Sequence, residues 1–306
     1  MIYFFTNRQD HHSLIYKSAK ITVSNDYSVF TKFAEDNLLI GYDSEGTGNR
    51  IYKSEILLMQ FGNNESQFVF DCTKGQFKSI IPYLNTTITK EHIFFGHNLK
   101  YDRNLAYPYN FILPKIFDTM ICEQNLNLGS GLLNNLKVTY ERRLRKMMPE
   151  DKGIGKEFLK MTNKTATFDL RHIMYAAGDI GGLIDIAKSQ KILLEQYGQY
   201  NYIKYVENPL VSILSDIELK GVPHDKVLWK SLLDNKKLEK YNLEKELDIE
   251  ILRLGKGNPK LVGGKFNLNR KRAIVTQNTL FSELPVLEIE NKNIHNINYS
   301  SSKHII

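Results

Sequence analysis

The 306-residue chain has only two cysteines, Cys72 and Cys122, and no apolar run near the roughly 20 residues that a membrane span needs. Two such distant cysteines form neither a metal-ligand spacing nor a disulfide framework. We interpret both as buried thiols in a reducing compartment. Residues 1–10 show no basic segment followed by a long apolar core, so we expect no secretory signal and a protein of the bacterial cytoplasm.

The charge balance is moderately basic. Lysine and arginine outnumber the acidic residues by 41 to 34, which gives a formal net charge of +7. A basic surface favours an anionic partner, since cations displace counterions from phosphates. Many proteins of this charge bind nothing acidic, so charge alone identifies no function. Hydrophobic residues make up 42% of the chain, as expected for a packed globular core.

Short apolar runs predict strands in the first two hundred residues. They cover residues 38–42, 56–61, 67–70 and 93–97, and the turn-forming segment Gly62-Asn63-Asn64 joins the second and third into a hairpin. Apolar residues at three- and four-residue steps predict one helix over residues 169–197. Strands first, with helices interleaved afterwards, predict an α/β fold with a mixed sheet flanked by helices.

Beyond about residue 205 the sequence predicts mainly helix. One helix ends at Gly221, with Pro223 behind it. Asp225 then caps a second helix that reaches residue 254 and spans roughly 45 Å at about 1.5 Å per residue. We therefore predict two domains, residues 1–205 and residues 206–306, the second a helical extension.

Two acids at the end of the first predicted strand point in one direction. Residues two apart on a strand project to the same face, so Asp43 and Glu45 lie together while Ser44 points away. Close carboxylates repel each other unless a cation lies between them. Oxygen ligands of this kind suit Mg²⁺ or Mn²⁺. A solvated strand end would give the same three residues.

Two further motifs carry an acid. Asp102 follows the strand at residues 93–97 and opens a helix, in which Asn98 either contacts a ligand or caps the helix. Tyr175 and Asp179 are four apart, so on a helix they share one face. A tyrosine hydroxyl there can orient a metal-bound water, although an amphipathic helix with a core tyrosine and a surface acid would look alike.

Together the three motifs predict more than any one of them does. A strand, a strand–helix junction and a helix each contribute carboxylates, as a two-metal phosphodiesterase requires. Two cations about 4 Å apart can hold the attacking water and the leaving 3′ oxygen at once.

The motif sequences resemble a known family. Residues 96–103 (GHNLKYDR), 117–120 (FDTM) and 175–179 (YAAGD) are similar to motifs of the DEDDy branch of the DnaQ-like exonucleases, which have a ribonuclease H-like fold. More narrowly, they resemble the proofreading domain of family A DNA polymerases, the DNA polymerase I type. The resemblance covers residues 35–200 and implies a 3′→5′ exonuclease with two ions of Mg²⁺ or Mn²⁺.

The resemblance also implies roles for individual residues. Asp43, Glu45 and Asp179 would hold the catalytic metal, Asp43 would bridge to a second metal supported by Asp102, and Tyr175 would orient the nucleophile. Asn98 would contact the terminal nucleotides. Further candidates for contacts with the strand are Leu99, Lys100, Arg103 and the basic run at residues 142–146. A solvated helix face explains the basic run equally well.

Residues 207–222 resemble the entry to the polymerase thumb, while the palm and fingers are absent. We expect these either in trans or removed by truncation, in a phage-like DNA polymerase. The expected substrate is single-stranded DNA or a frayed 3′ end, with no membrane involved. Two alternatives stay open: a non-catalytic module that binds DNA or a replisome partner, and an RNA-trimming exonuclease of the ribonuclease D type.

Overall fold

A seven-stranded mixed sheet organises the part of the chain that the computed structural model describes, namely residues 1–48, 50, 53–148 and 153–255. The strands are β1 (Ile2–Phe5), β2 (Ile21–Ser24), β3 (Leu39–Gly46), β4 (Ile56–Gly62), β5 (Gln67–Asp71), β6 (Ile93–Gly96) and β7 (Lys115–Asp118). The α-helices are α1 (Ser13–Lys17), α2 (Ser28–Asp36), α3 (Phe77–Thr87), α4 (Leu99–Ala106), α5 (Thr119–Leu126), α6 (Leu136–Leu144), α7 (Ile154–Phe158), α8 (Leu170–Ile180), α9 (Leu183–Gln196), α10 (Tyr200–Tyr202), α11 (Asn208–Lys220) and α12 (Lys226–Gly255).

The strand order is β2-β1-β5-β4-β3-β6-β7. Strand β4 is antiparallel to both of its neighbours, and the remaining pairs are parallel. The turn after Gly62 joins β4 and β5, which confirms the predicted hairpin. The predicted mixed α/β sheet flanked by helices is therefore confirmed.

Each face of the sheet packs against its own helices, because alternate strand residues point to opposite faces. Phe68 and Phe70 belong to a core shared with α2, α3 and α4, whereas Val69 between them belongs to a core shared with α1, α7 and α8. On β3, Tyr42 packs in the first core. The next residue, Asp43, accordingly faces the α8 side.

Two sequence predictions differ from the structure in their bounds. Strand β3 continues to Gly46, so Asp43 and Glu45 lie within the strand rather than at its end. The single helix predicted over residues 169–197 is wrong: it divides into α8 and α9 at Gly181 and Gly182. A Cβ on Gly182 would lie 2.3 Å from the Tyr140 ring, so α6 packs closely against this break.

The first compact unit spans Met1–Val222, so the predicted boundary at residue 205 falls inside it. Polar contacts explain why α11 belongs with the sheet domain. Arg103 of α4 forms an ion pair with Asp216 at 2.8 Å, and Asn104 donates to Glu218 at 2.9 Å. Ser215, fully buried, donates to Asn104 at 2.5 Å.

The second unit, Pro223–Ile306, is described only as far as residue 255, by α12. Asp225 accepts hydrogen bonds from the backbone N–H groups of Val227 and Leu228, which confirms it as the cap. The helix ends within one residue of the predicted position. Of the predicted thumb-like region, residues 206–306, the part from residue 256 lies outside the described residues, and its thumb-like character stays a prediction.

Candidate active site

Three acids meet between β3 and α8. One carboxylate oxygen from each of Asp43, Glu45 and Asp179 lies within 4.8 Å of the other two. The two-residue step along β3 places Asp43 and Glu45 on the same face, and α8 brings Asp179 to them. The structure thus unites two of the three predicted motifs in one cluster.

Close backbone packing brings α8 to the strand. A Cβ on Gly41 would lie 3.0 Å from the carbonyl oxygens of Gly62 and Ile180, two backbone atoms that cannot give way by a side-chain rotation. Ala176 and Ala177 of α8 are buried against the sheet, as small residues in a close helix contact should be. A Cβ on Gly178 would meet nothing within 4 Å, so this glycine is not needed for the approach.

The electrostatics of the cluster disfavour charge on the acids of β3. Burial raises the pKa of Asp43 to about 7. Burial and then the charges of Asp43 and Asp179 raise the pKa of Glu45 well above its ordinary value. In the described residues no lysine, arginine or histidine forms a salt bridge with Asp43 or Glu45. Converging carboxylate oxygens that repel one another fit a divalent cation.

Tyr175 lies one helical turn before Asp179 and is half-buried. Burial, followed by the charges of Asp179 and Glu45, raises its pKa, so the hydroxyl keeps its proton. Helix α7 covers it: the Phe158 ring packs 6.1 Å from the tyrosine ring, and a Cβ on Gly155 would lie 3.2 Å from the hydroxyl. The predicted position of Tyr175 beside the acids agrees with this arrangement.

Asp102 approaches from the opposite side of β3. It lies on α4, is 2% exposed, and accepts a hydrogen bond from Ser44 Oγ to its Oδ1 at 2.6 Å. Burial and then the charge of Asp43 raise its pKa well above the ordinary value. It is not among the three acids whose oxygens lie within 4.8 Å of one another. Its role as a metal ligand stays a prediction.

The predicted strand-contacting residues have different environments. Asn98 is exposed and adopts a left-handed conformation without capping α4 by its side chain. Leu99 is fully buried in the core beneath the sheet. Lys100 pairs with Glu218, and Arg103 is buried in its pair with Asp216. Their contacts with a substrate stay predictions.

Asp118 is an organising residue whose role the sequence reasoning did not identify. Its carboxylate accepts from the backbone N–H groups of Asn98 at 3.1 Å and Leu99 at 2.8 Å, at the start of α4. It also accepts from Met120 at the start of α5. One buried carboxylate therefore caps two helices, and a lone aspartate before a helix gives no signal for the first of these contacts.

The basic run at residues 142–146 is partly used inside the protein. Arg142 and Arg143 bind the buried carboxylate of Glu123 at 2.6 and 2.7 Å. The exposed members of the run are Arg145 and Lys146. The hypothesis that the whole run guides a phosphate backbone is therefore corrected: two of its arginines contribute to the packing of α5 and α6.

Comparison with known proteins identifies the family. Residues 19–194 match the 3′-5′ exonuclease family model of the DNA polymerase A type. The match covers more than half of the chain, and the chain belongs to this 3′-5′ exonuclease family. The predicted exonuclease activity and the polymerase-I-like resemblance of the motifs are thereby confirmed.

Individual relatives are more distant. DNA polymerase I of Aquifex aeolicus (strain VF5) is 32% identical over 105 residues, which cover 34% of this chain and 17% of that protein. The complex described as Brucella melitensis NrnC bound to pGG has a TM-score of 0.51 at 16% identity, with 60% of this chain and 86% of that chain covered. For NrnC with bound Mg²⁺ the TM-score is 0.51 at 13% identity, covering 72% and 93%.

The catalytic core of RRP6 from Trypanosoma brucei has a TM-score of 0.50 at 16% identity, covering 69% of this chain and 52% of that chain. At these identities the likeness concerns the fold alone. It confirms the ribonuclease H-like exonuclease fold. Among the described residues, no helix has the length and apolarity that crossing a membrane requires.

Proposed function

We propose that this chain removes nucleotides from DNA 3′ ends in a divalent-metal-dependent reaction, as the proofreading part of a family A DNA polymerase. The observation that carries the proposal is the convergence of Asp43, Glu45 and Asp179 within 4.8 Å, one turn from Tyr175. The family match supports hydrolysis with 3′-5′ polarity. The likeness to DNA polymerase I supports DNA as the substrate.

In this proposal Asp43, Glu45 and Asp179 hold a divalent cation, with Asp43 and Asp102 contributing to a second. Mg²⁺ or Mn²⁺ at these positions supplies positive charge for the scissile phosphate and lowers the pKa of a water nucleophile. Tyr175 keeps its proton and donates it in a hydrogen bond that orients the attacking water. Helix α7 fixes that hydroxyl, because Phe158 packs on the ring and Gly155 leaves space beside the oxygen.

An RNA substrate is the second candidate. The observation in its favour is that the fold is similar to those of NrnC, described in complex with pGG, and RRP6. The carboxylate chemistry is the same for both substrates, so the cluster does not discriminate between them. A 2′-hydroxyl is what a protein uses to distinguish RNA from DNA.

The test is hydrolysis of 3′- and 5′-labelled oligomers by the full chain. Single-stranded DNA, a duplex with a mismatched 3′ end and RNA of matched sequence are each incubated with Mg²⁺, Mn²⁺ or a chelator. We expect stepwise shortening from the 3′ end of the DNA, its loss with the chelator, and its loss in Asp43→Ala and Asp179→Ala.

Glu91→Ala, which removes a surface acid paired with Lys115, is the matched control and should keep the wild-type rate. Undiminished hydrolysis in both site variants, or hydrolysis that persists in chelator, would overturn the metal-dependent proposal. Faster digestion of RNA than of DNA would overturn the DNA assignment while leaving the metal site in place.

A further inference from the structure

Ser44, the middle residue of the Asp-Ser-Glu segment, has a contact of its own. Its side chain points away from Asp43 and Glu45, as the alternation of a strand requires. On that opposite face its hydroxyl donates to Asp102 Oδ1 at 2.6 Å. Ser44 is 4% exposed and Asp102 is 2% exposed.

The length and burial of this bond indicate a strong orienting contact. Bonds from a hydroxyl to a carboxylate measure about 2.5–2.7 Å and are roughly twice as strong as neutral ones. With Oδ1 held by Ser44, the rotation of the Asp102 side chain is restricted. The adjacent backbone of α4 is itself anchored, because Asp118 accepts from Leu99 and Arg103 pairs with Asp216.

We propose that Ser44 is a positioning residue that fixes the orientation of the Asp102 carboxylate, so that Asp102 can contribute to the second divalent cation alongside Asp43. One strand segment then supplies metal ligands from one face, and its Ser44 orients the Asp102 carboxylate from the other. The inference rests on the proposed metal-dependent function. It assigns a role in metal binding to Ser44, although the Ser44 side chain points away from the carboxylate cluster.

A purely structural role for Ser44 is the competing explanation, and a double-mutant cycle separates the two. The variants are Ser44→Ala, Asp102→Asn and their combination, with Ser79→Ala, an exposed serine of α3, as the control. Mn²⁺ binding to each full-length chain is measured by calorimetry without substrate, and thermal unfolding reports the fold.

We expect the wild-type chain to bind two Mn²⁺ ions. Ser44→Ala should weaken the second by about 10–100-fold, the usual effect of removing a hydrogen bond to a metal ligand, and leave the first unchanged. In the Asp102→Asn background, Ser44→Ala should cause no further loss. The rate of DNA hydrolysis should show the same pattern, as a higher Mn²⁺ concentration for half-maximal rate.

Wild-type binding of both ions by Ser44→Ala would overturn the inference, and so would an equal loss in the Asp102→Asn background. Equal weakening of both ions would also overturn it, because the effect would then be a general change of the cluster. Failure of the proposed function looks different: the wild-type chain itself would bind no Mn²⁺, or would hydrolyse DNA in the presence of chelator.

Discussion

Glu45, which is half-buried, and Glu123, which is fully buried, are glutamates of the same unit with opposite environments. Burial would raise the pKa of Glu123, but hydrogen bonds from Arg143, Gln190 and Arg142 outweigh it and lower the pKa. Burial raises the pKa of Glu45, and the neighbouring charges of Asp43 and Asp179 raise it further. Glu123 is neutralised by the chain, whereas Glu45 lies among charges of its own sign.

The difference separates an acid that stabilises the fold from acids that serve a reaction. A buried carboxylate with two arginines gains from its charge, and its neighbours α5, α6 and α9 are held together through it. Half-buried carboxylates that face each other, as these do, weaken the fold until a cation joins them. Raised pKa values of mutually repelling carboxylates, such as that of Glu45, cluster at functional sites.

The largest effect should come from Glu45→Gln. Loss of a metal ligand should lower DNA hydrolysis by on the order of 10³-fold, the upper range for removing one group that stabilises the transition state. In chelator the same change should raise the free energy of unfolding by about 1–3 kcal/mol, because it removes a half-buried acid that the neighbouring carboxylates repel. Gel assays and urea denaturation measure the two effects.

Glu35→Gln, an exposed glutamate of α2, is the control and should change neither quantity. If Glu45→Gln instead destabilises the metal-free chain, the contrast with Glu123 is wrong.

Glu123→Ala should have the opposite consequences. It leaves Arg142 and Arg143 without their buried partner, and breaking such a pair costs about 3–5 kcal/mol. The metal dependence of the remaining folded protein should be unchanged, because the pair contributes no group to the carboxylate cluster. Urea denaturation gives the free energy of unfolding.

The control is Glu91→Ala, which breaks a surface pair and should lower the free energy of unfolding by less than about 1 kcal/mol. Equal losses for Glu123→Ala and Glu91→Ala would show that the buried Glu123 pair contributes no more than a surface pair.

Gly41→Ala tests the close backbone packing that holds α8 against β3, where no ion pair among the described residues involves the site acids of β3. The added Cβ would crowd two carbonyl oxygens, those of Gly62 and Ile180, and should cost about 1–3 kcal/mol as overpacking does. Gly178→Ala is the matched control, since its Cβ would meet nothing within 4 Å. We expect it to be neutral or to stabilise α8 by up to about 1 kcal/mol. Thermal unfolding in chelator compares the two; a tolerated Gly41→Ala would mean that α8 can move away from β3.

The periodicity of the sequence predicted β3 and the helical segment that carries Asp179. It could not predict features that depend on contacts between residues far apart in the chain. Alternation along β3 correctly placed Asp43 with Glu45 and directed Ser44 away. The strand β1, four residues long, carried too few residues for a period to be recognised. The division of the predicted helix at Gly181 depends on the packing of α6, which a local pattern does not contain.

Pairing of charges was the least predictable property. Arg142 and Arg143 form a basic run in the sequence, and the same run would suit a phosphate backbone or an internal acid. Their partner Glu123 is 19 and 20 residues away, on another helix. Arg103 pairs with Asp216 across more than a hundred residues. Sequence reasoning identified the charged groups, but the fold determines which of them reach each other.

Metal-free stability should also depend gradually on pH. The pKa of Asp43 is raised from 3.8 to about 7 in the folded chain, so between these values the folded state binds the proton that the unfolded state releases. Stability should therefore fall as the pH rises from 5 toward 7 and change no further from this group above about 8. The slope is at most about 1.4 kcal/mol per pH unit for one proton.

Other groups act in the opposite direction and must be separated. Asp71, whose pKa is lowered because hydrogen bonds from His11 and Thr73 outweigh its burial, contributes stability that is lost only as the pH falls below its unfolded value of 3.8. Burial lowers the pKa of His97, so its protonation weakens the fold below about 6.5. The difference in unfolding free energy between the wild-type chain and Asp43→Asn, measured in chelator from pH 5 to 8.5, removes the contributions of Asp71 and His97. It reports Asp43 together with Glu45 and Asp102, whose pKa values the charge of Asp43 raises. Identical pH profiles for the two would contradict the raised pKa, and added Mg²⁺ should reverse the wild-type slope, because the ion binds the ionised acid.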